Sequence, residues 1–272
     1  MNLFTFQFVS RIQAQVYQLK HVLNRKPASA GFLLTDKYFM STVPTAASLR
    51  RHINYLQPQE NIGCCTACAT LLAAEITMAS VGNVMNFSRL FLYYMTQKEH
   101  NRLGMKGAEL RDALDTLMKY GAPPERYWPF TFSRANREPL QQAIEQANNY
   151  RLQSYEQVSP VNYKEYLNNG IPIIVGMRTG KLFWNLEGPL QEQEYKPING
   201  RDNRLTRGHA ITIIGYDDNI NGGSWIIANS LGPRWGFQGY AAIPYICDVD
   251  IGESYIITNF AGISAGKKIP EI

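Results

Sequence analysis

The stretch QENIGCCTACATLLAAE, at residues 59–75, carries three of the four cysteines of the chain. From Thr66 onward it is rich in Ala and Leu and contains neither Gly nor Pro, which favours a buried helix, whereas Asn61 and Gly63 are turn residues. A cysteine therefore stands at the start of a helix. There, unpaired backbone N–H groups and the helix dipole stabilise a thiolate, the form of cysteine that attacks carbonyl carbon.

The composition limits the classes of protein to consider. A chain of 272 residues with 45% hydrophobic content buries a substantial core, as one domain or as two halves sharing a cleft. Its 27 basic and 22 acidic residues are scattered, which predicts no nucleic-acid partner. Four cysteines, three of them clustered, and four histidines indicate neither a disulfide framework nor a zinc site. We therefore expect a reducing compartment.

The N-terminal sequence MNLFTFQFVSRIQAQVYQLK contains no signal-peptide core and no membrane span, since polar residues interrupt its apolar run. We expect a cytoplasmic location, or export without a Sec-type signal as in secreted bacterial effectors. Apolar residues at helical spacing over 9–23 predict a helix that ends before Pro27. Residues 1–42 are therefore interpreted as an N-terminal helix and arm, either docked on the body or acting as an inhibitory pro-segment.

The rest of the chain divides near residue 150. Residues 43–150 are predicted to be mainly helical and to carry the nucleophile, with further helices near 87–94 and 110–118. Residues 151–272 are predicted to be mainly antiparallel β, with buried strands at 170–177, 209–218 and 224–230. The last two form a hairpin because an Asn- and Gly-rich loop separates them.

A cysteine nucleophile needs a base, and histidine is the side chain best suited to that role at neutral pH. Of the four histidines, only His209 follows a Gly at the start of a predicted strand, RGHAITIIGYDD, 144 residues after Cys65. Asn229 lies twenty residues further on, in the neighbouring strand of the hairpin. Its amide is thus expected beside the imidazole, which gives a Cys, His and Asn constellation.

Three segments, QENIGCC, RGHAITIIGYDD and WIIANSLGPRWGFQGY, resemble the papain-like cysteine peptidases, and the resemblance extends over residues 41–258. The segments FSRLFLYY, AELRDALDTLMKYG and GYAAIPY are more similar to the bacterial members than to the animal lysosomal ones. The resemblance implies an α+β fold, with a helical left half, an antiparallel β-barrel right half and the active cleft between them.

The family pattern also selects the nucleophile, because a glutamine lies six positions before it and donates its amide to the oxyanion. Counting back from Cys65 reaches Gln59, whereas the same count from Cys64 or Cys68 reaches no glutamine. The two neighbouring cysteines are interpreted as small packing residues. The resemblance thus implies Cys65 as nucleophile, His209 as acid and base, Asn229 as orienter of the imidazole and Gln59 as oxyanion donor. The resemblance also implies a protein or peptide substrate and a mechanism that calls for no metal or organic cofactor.

The resemblance further implies that Gly107 and Trp235 take part in substrate binding, although a plain turn is the alternative for residues 104–107. Thr66 and Leu231 stand where the family carries aromatic residues, and Leu231 would cover the His209 and Asn229 pair less completely. These departures motivate a second hypothesis, a catalytically impaired domain that binds a peptide or partner protein. A third is a deamidase or acyltransferase that uses the same triad. The sequence gives no oligomeric state.

Overall fold

The computed structural model of the chain describes residues 43–186, 196–197, 207–245 and 250–261. These residues belong to one compact unit. The predicted N-terminal helix and arm at residues 1–42 lie outside the described residues, as does Cys247.

The central helix, α1, runs over Cys65–Ser80. Its side chains are buried without interruption from Thr66 to Met78, so all faces of the helix pack against other elements. The Ala-rich sequence suits that position because small side chains let neighbouring helices and strands approach closely. The predicted helix is confirmed, and it ends at Ser80, close to Gly82, where the sequence predicted its end.

Three further helices complete the helical side: α2 at Arg89–Glu99, α3 at Leu110–Tyr120 and α4 at Gln141–Ala147. Ser88 caps α2 by accepting a 3.2 Å hydrogen bond from the Phe91 N–H. Gly121 ends α3 with φ of 73°, and a Cβ there would lie 2.0 Å from the Ala147 carbonyl oxygen. Only glycine fits this position.

Within the described ranges, eight strands form one sheet: β1 Ala46–Ser48, β2 Leu152–Gln157, β3 Ile173–Thr179, β4 Lys196–Pro197, β5 Arg207–Asp217, β6 Ser224–Ala228, β7 Tyr240–Pro244 and β8 Asp250–Phe260. Their order is β2-β8-β3-β5-β6-β7-β4, with β1 paired to β5. Every pairing is antiparallel except that of β4 with β7. The sheet and the helical side together give the predicted α+β fold.

Short helices fill the connections. Two are α-helical, α5 at Tyr163–Asn168 and α6 at Lys181–Trp184. Four are single 3-10 turns: Arg50–His52, Glu125–Tyr127, Phe132–Arg134 and Pro160–Asn162.

The hairpin of β5 and β6 packs against the central helix through β5. The predicted hairpin is confirmed, with Thr212 opposite Ala228 in the register. The Thr212 hydroxyl donates a 3.0 Å hydrogen bond to the Ala69 carbonyl in the second turn of α1. Because β5 is fixed against α1 in this way, the start of the strand, with His209, lies near the start of the helix, with Cys65.

Candidate active site

Cys65 is the first residue of α1 and follows a tight turn. Gly63 has φ of 80° and its carbonyl accepts a 3.1 Å hydrogen bond from the Gly107 N–H. A Cβ at Gly63 would lie 3.1 Å from Cβ of Lys106, so glycine keeps the two loops together. No side chain caps α1, which leaves the N–H groups of its first turn directed at the thiol.

Two opposing effects act on the Cys65 thiol. Burial, the larger effect, raises its pKa, while the Ala210 N–H lowers the pKa through a hydrogen bond to sulfur. The backbone N–H groups of Thr66 and Cys65 lower it further, as expected at a helix start. Ala210 directly follows His209 in β5, so the thiol lies at the strand that carries the imidazole.

His209 and Asn229 form the hydrogen bond expected of a base and its orienter. His209 Nε2 lies 2.8 Å from Asn229 Oδ1, and both side chains are buried. An amide oxygen only accepts, so Nε2 carries the proton and donates it, which leaves Nδ1 of the neutral ring unprotonated. The Asn229 N–H donates to the Gly239 carbonyl at 2.9 Å, which fixes the residue immediately after β6.

Aromatic side chains from α6 cover the imidazole. The rings of Phe183 and Trp184 have their centroids 5.5 and 5.0 Å from that of His209. This burial lowers the pKa of His209 to about 4, and the bond to Asn229 offsets only part of the effect. Leu231 is partly buried and packs against the sheet core. The two aromatic residues Phe183 and Trp184 supply cover for the imidazole that the sequence did not predict.

Phe183 and Trp184 were missed at the level of sequence. They are adjacent in the segment KLFW, which forms a helix of only four residues. So short a segment has no apolar periodicity that would mark one face as buried. The only available signal was the pairing of two large aromatic residues about 25 positions before His209. Nothing local to that pair indicates contact with the imidazole.

Gln59 is held by the residue that follows Asn229. The Gln59 N–H donates to the Ser230 carbonyl at 2.7 Å, and the Ser230 hydroxyl donates to Gln59 Oε1 at 2.7 Å. Because Oε1 is occupied, the amide nitrogen of Gln59 is the end left to donate to a ligand. Ser230 was also missed, although its position beside Asn229 was the available signal.

Cys65 and His209 both line a cleft of about 690 Å³ between the helical side and the sheet. Gly107 lies on its wall with φ of 82°. Trp235 lies outside this lining: its side chain is buried, packs against Phe183 at 5.0 Å and donates from Nε1 to the Phe183 carbonyl at 2.6 Å. Its position outside the cleft lining does not support the predicted contact with substrate.

The cleft wall carries charges of both signs. Three are cationic, Arg102, Lys106 and Arg178, and two are anionic, Glu109 and Glu253. In the described part of the chain, no group of three or more His, Cys, Asp or Glu residues is arranged to hold a metal ion. Across the same residues, no helix has the length and apolar character needed to cross a bilayer.

Two relatives illustrate what the sequence of this chain is similar to. The uncharacterised peptidase C1-like protein of Acanthamoeba polyphaga mimivirus is 26% identical over 215 residues, 73% of this chain and 68% of that protein. Vignain of Vigna mungo is 23% identical over 243 residues, 84% of this chain and 64% of vignain. The chain thus spans about two thirds of the length of these relatives.

The fold is shared with xylellain, a cysteine protease from Xylella fastidiosa, at a TM-score of 0.70 and 25% identity over 85% of this chain and 94% of that one. A family model described as papain family cysteine protease matches residues 43–257, which include the helical side, the sheet and the cleft. With more than half of its length inside that match, the chain belongs to the papain family of cysteine proteases.

Proposed function

We propose that the chain hydrolyses peptide bonds, with Cys65 as nucleophile and His209 as acid and base. The observation that carries this proposal is the 2.8 Å hydrogen bond between His209 Nε2 and Asn229 Oδ1, beside the cleft into which Cys65 opens. That bond directs the other ring nitrogen, Nδ1, away from Asn229. A thiol at a helix start and an oriented imidazole are the two groups that nucleophilic acyl transfer requires.

Each side chain has a defined step. Cys65 as thiolate attacks the carbonyl carbon, and His209 protonates the departing amine. Water activated by the same imidazole then hydrolyses the acyl-enzyme. Gln59 and the Cys65 N–H donate to the oxyanion, and the loss of one such donor typically costs about 3 to 4 kcal/mol of barrier.

Catalysis needs a Cys65 thiolate and a His209 imidazolium, although burial favours the neutral form of each group. The shift of the His209 pKa from 6.5 to about 4 corresponds to roughly 3 kcal/mol. Burial also raises the pKa of the Cys65 thiol, so both groups resist ionisation when they are taken singly. Opposite charges that lie close together stabilise each other, so we expect the thiolate and the imidazolium to form together, as a coupled pair.

The test combines a thiol-directed probe with a peptide substrate. We expect a vinyl-sulfone probe to label Cys65 at neutral pH and to block cleavage, while Cys65→Ala removes both labelling and cleavage. Cys64→Ala is the matched control, because it removes an adjacent thiol and should keep the label on Cys65. Labelling of Cys64 or Cys68 in its place would contradict the assignment.

The products separate this function from its alternatives. Hydrolysis of the backbone gives two fragments whose masses sum to the substrate plus one water. A single product of slightly higher mass would indicate a deamidase, and transfer to an added amine an acyltransferase. Binding of peptide without any product would indicate an impaired domain.

The role of residues 1–42 as a pro-segment stays a proposal, because these residues lie outside the described part of the chain. Cleavage rates of the full chain and of a chain that starts at residue 43 test it. A higher rate after truncation supports an inhibitory segment, and equal rates contradict it. A cytoplasmic or Sec-independent exported location also stays a proposal, which cell fractionation tests.

A further inference from the structure

Three thiols lie around the first turn of α1, and only one of them has a role in the proposed peptidase. Cys64, Cys65 and Cys68 are all free. Cys64 and Cys68 are buried, with their sulfur atoms 3.8 Å apart, whereas Cys65 is partly exposed. The burial of Cys64 and Cys68 agrees with the packing role expected from the sequence. A thiol beside a reactive one can in addition take part in its oxidation chemistry.

The backbone decides which thiol can pair with Cys65. Adjacent Cα atoms across a trans peptide are about 3.8 Å apart, below the range of about 4.4 to 6.8 Å found in disulfides. The described peptide bonds include no cis bond, which argues against a bridge between Cys64 and Cys65. Residues three apart in an α-helix have Cα atoms about 5 Å apart, within that range. Cys65 and Cys68 stand in this relation, as a Cys-x-x-Cys pair at a helix start.

The surroundings favour the same pair. The bond to Cys68, and then burial, raise the pKa of the Cys64 thiol well above its ordinary value, which makes Cys64 a weak nucleophile. Cys65 lines the cleft of about 690 Å³, where a small oxidant in solution meets it first. Cys68 does not line that cleft; it borders a small cavity of about 10 Å³, together with Ala210. The Ala210 N–H also bonds to the Cys65 sulfur. Cys65 and Cys68 therefore both lie near Ala210, and only Cys65 opens to the cleft.

We propose that Cys68 is the resolving thiol of a reversible oxidative lock, in which a hydroperoxide oxidises Cys65 and Cys68 traps the product as a Cys65–Cys68 disulfide. The proposal rests on the proposed function in one respect, the reactivity of the Cys65 thiolate. The lock stops peptide hydrolysis while it is closed. It also protects the nucleophile from irreversible oxidation.

The chemistry balances in two steps. The Cys65 thiolate attacks one oxygen of the peroxide, the O–O bond breaks, and the departing hydroxide takes a proton to become water, which leaves Cys65 as a sulfenic acid. The Cys68 sulfur then attacks the Cys65 sulfur, the S–O bond breaks, and the second hydroxide leaves as water with the Cys68 proton. Two thiols lose two electrons, and hydrogen peroxide is reduced to two waters.

The test maps the thiols before and after oxidation of the full chain with Cys247→Ser, which removes the cysteine outside the described residues. Reduced protein is treated with hydrogen peroxide, denatured and alkylated with N-ethylmaleimide, and tandem mass spectrometry identifies the labelled cysteine. We expect two of the three thiols to be lost, with the label on Cys64. Reactivity of Cys65 toward a vinyl-sulfone probe should disappear and return after dithiothreitol.

Two variants separate the resolving thiol from its neighbour. Cys64→Ala should form the same disulfide, because it leaves the Cys65 and Cys68 pair intact. Cys68→Ala should let Cys65 proceed to the sulfinic acid, a gain of about 32 Da, with irreversible loss of probe reactivity at least about tenfold faster than in the parent. Circular dichroism checks that each variant is folded. If Cys68→Ala does not fold, the mapping of the parent protein still decides whether Cys65 pairs with Cys68.

Three results would overturn the lock. They are a sulfinic acid at Cys65 with Cys68 still labelled in the parent, a disulfide that maps to Cys64 and Cys68, and equal irreversible loss in the parent and Cys68→Ala. The peptidase rate of the reduced protein, measured before peroxide, tests the proposed function separately. A protein that forms the Cys65–Cys68 disulfide but cleaves no peptide would contradict the peptidase proposal and support the lock.

Discussion

The Ser230 hydroxyl donates a 2.7 Å hydrogen bond to Gln59 Oε1, which ties the loop after β6 to the turn before α1. The preceding residue, Asn229, accepts from His209 Nε2 at 2.8 Å. One dipeptide therefore orients both the candidate oxyanion donor and the candidate base. Ser230 acts on the reaction only through Gln59, as a positioning residue.

Replacing Ser230 by Ala should lower kcat by about tenfold, less than the roughly hundredfold loss expected for Gln59→Ala, which removes the donor itself. The physical reason is that Gln59 keeps its backbone bond to residue 230 but loses the bond that fixes its amide. Ser230→Thr keeps a hydroxyl and serves as the control. Steady-state kinetics separate the effects, since a fall in kcat with little change in KM indicates loss of transition-state binding. Equal losses in Ser230→Ala and Ser230→Thr would argue against the hydroxyl as the cause.

Trp184 sets the burial of the imidazole, so Trp184→Ala should raise the pKa of His209 back toward its ordinary value. The acid limb of the pH profile of kcat/KM, which depends on the protonation of the coupled pair, should shift upward in the variant. Trp184→Phe keeps an apolar ring and should shift the limb less. A profile in Trp184→Ala that overlies the parent profile would show that Trp184 does not control this ionisation.

His209 should also make the stability of the fold depend on pH. Burial lowers its pKa from 6.5 to about 4, so the unfolded chain binds the proton more tightly than the folded one. The contribution is complete above about pH 6.5 and is lost as the pH falls toward 4, by up to about 3 kcal/mol. Urea unfolding at several pH values measures it against His209→Gln, whose stability should fall less over this range. Parallel curves for the two proteins would contradict the shift.

Glu125 should act in the opposite direction. Burial raises its pKa from 4.5 to about 7, with Oε1 accepting the Phe130 N–H at 2.5 Å and Oε2 buried without a partner. Because the folded state holds this proton more tightly, the contribution to stability is present at low pH and is lost as the pH rises from 4.5 through 7. Glu125→Gln keeps an acceptor oxygen and removes the charge. It should raise the free energy of unfolding by about 1 to 2 kcal/mol at pH 8, after allowance for partial exposure, and change little at pH 5.

Glu125→Asp provides the control for that experiment, since it keeps the charge and should not gain stability at high pH. Denaturant unfolding of the parent and of both variants at pH 5 and pH 8 gives the free energies that are compared. A gain for Glu125→Gln that is the same at both pH values would mean that packing, and not ionisation, is responsible.

The helices and the hairpin were predictable because their signals are local. The Ala- and Leu-rich run after Cys65 predicted α1, and the two apolar runs around an Asn- and Gly-rich loop predicted β5 and β6. Backbone propensity and the period of apolar residues act over a few positions, so both can be recognised in a single sequence. The same holds for the order of the motifs that carry Cys65, His209 and Asn229.

The contacts that shape the site were not predictable, since they join segments far apart in the chain. The cover over His209 comes in part from Trp184 in a four-residue helix, and the orientation of Gln59 comes from Ser230. Strand β1 pairs with β5, with Ala46 opposite Asp217. Trp235 packs against Phe183, outside the lining of the cleft.

The sequence by itself determined the helix that presents a cysteine, the hairpin that presents a histidine and an asparagine, and the family to which the chain belongs. Only the tertiary structure decided which groups bury the imidazole and which fix the oxyanion donor. Those choices depend on the packing of the sheet against α1, where many weak contacts are satisfied together and no single segment encodes the result.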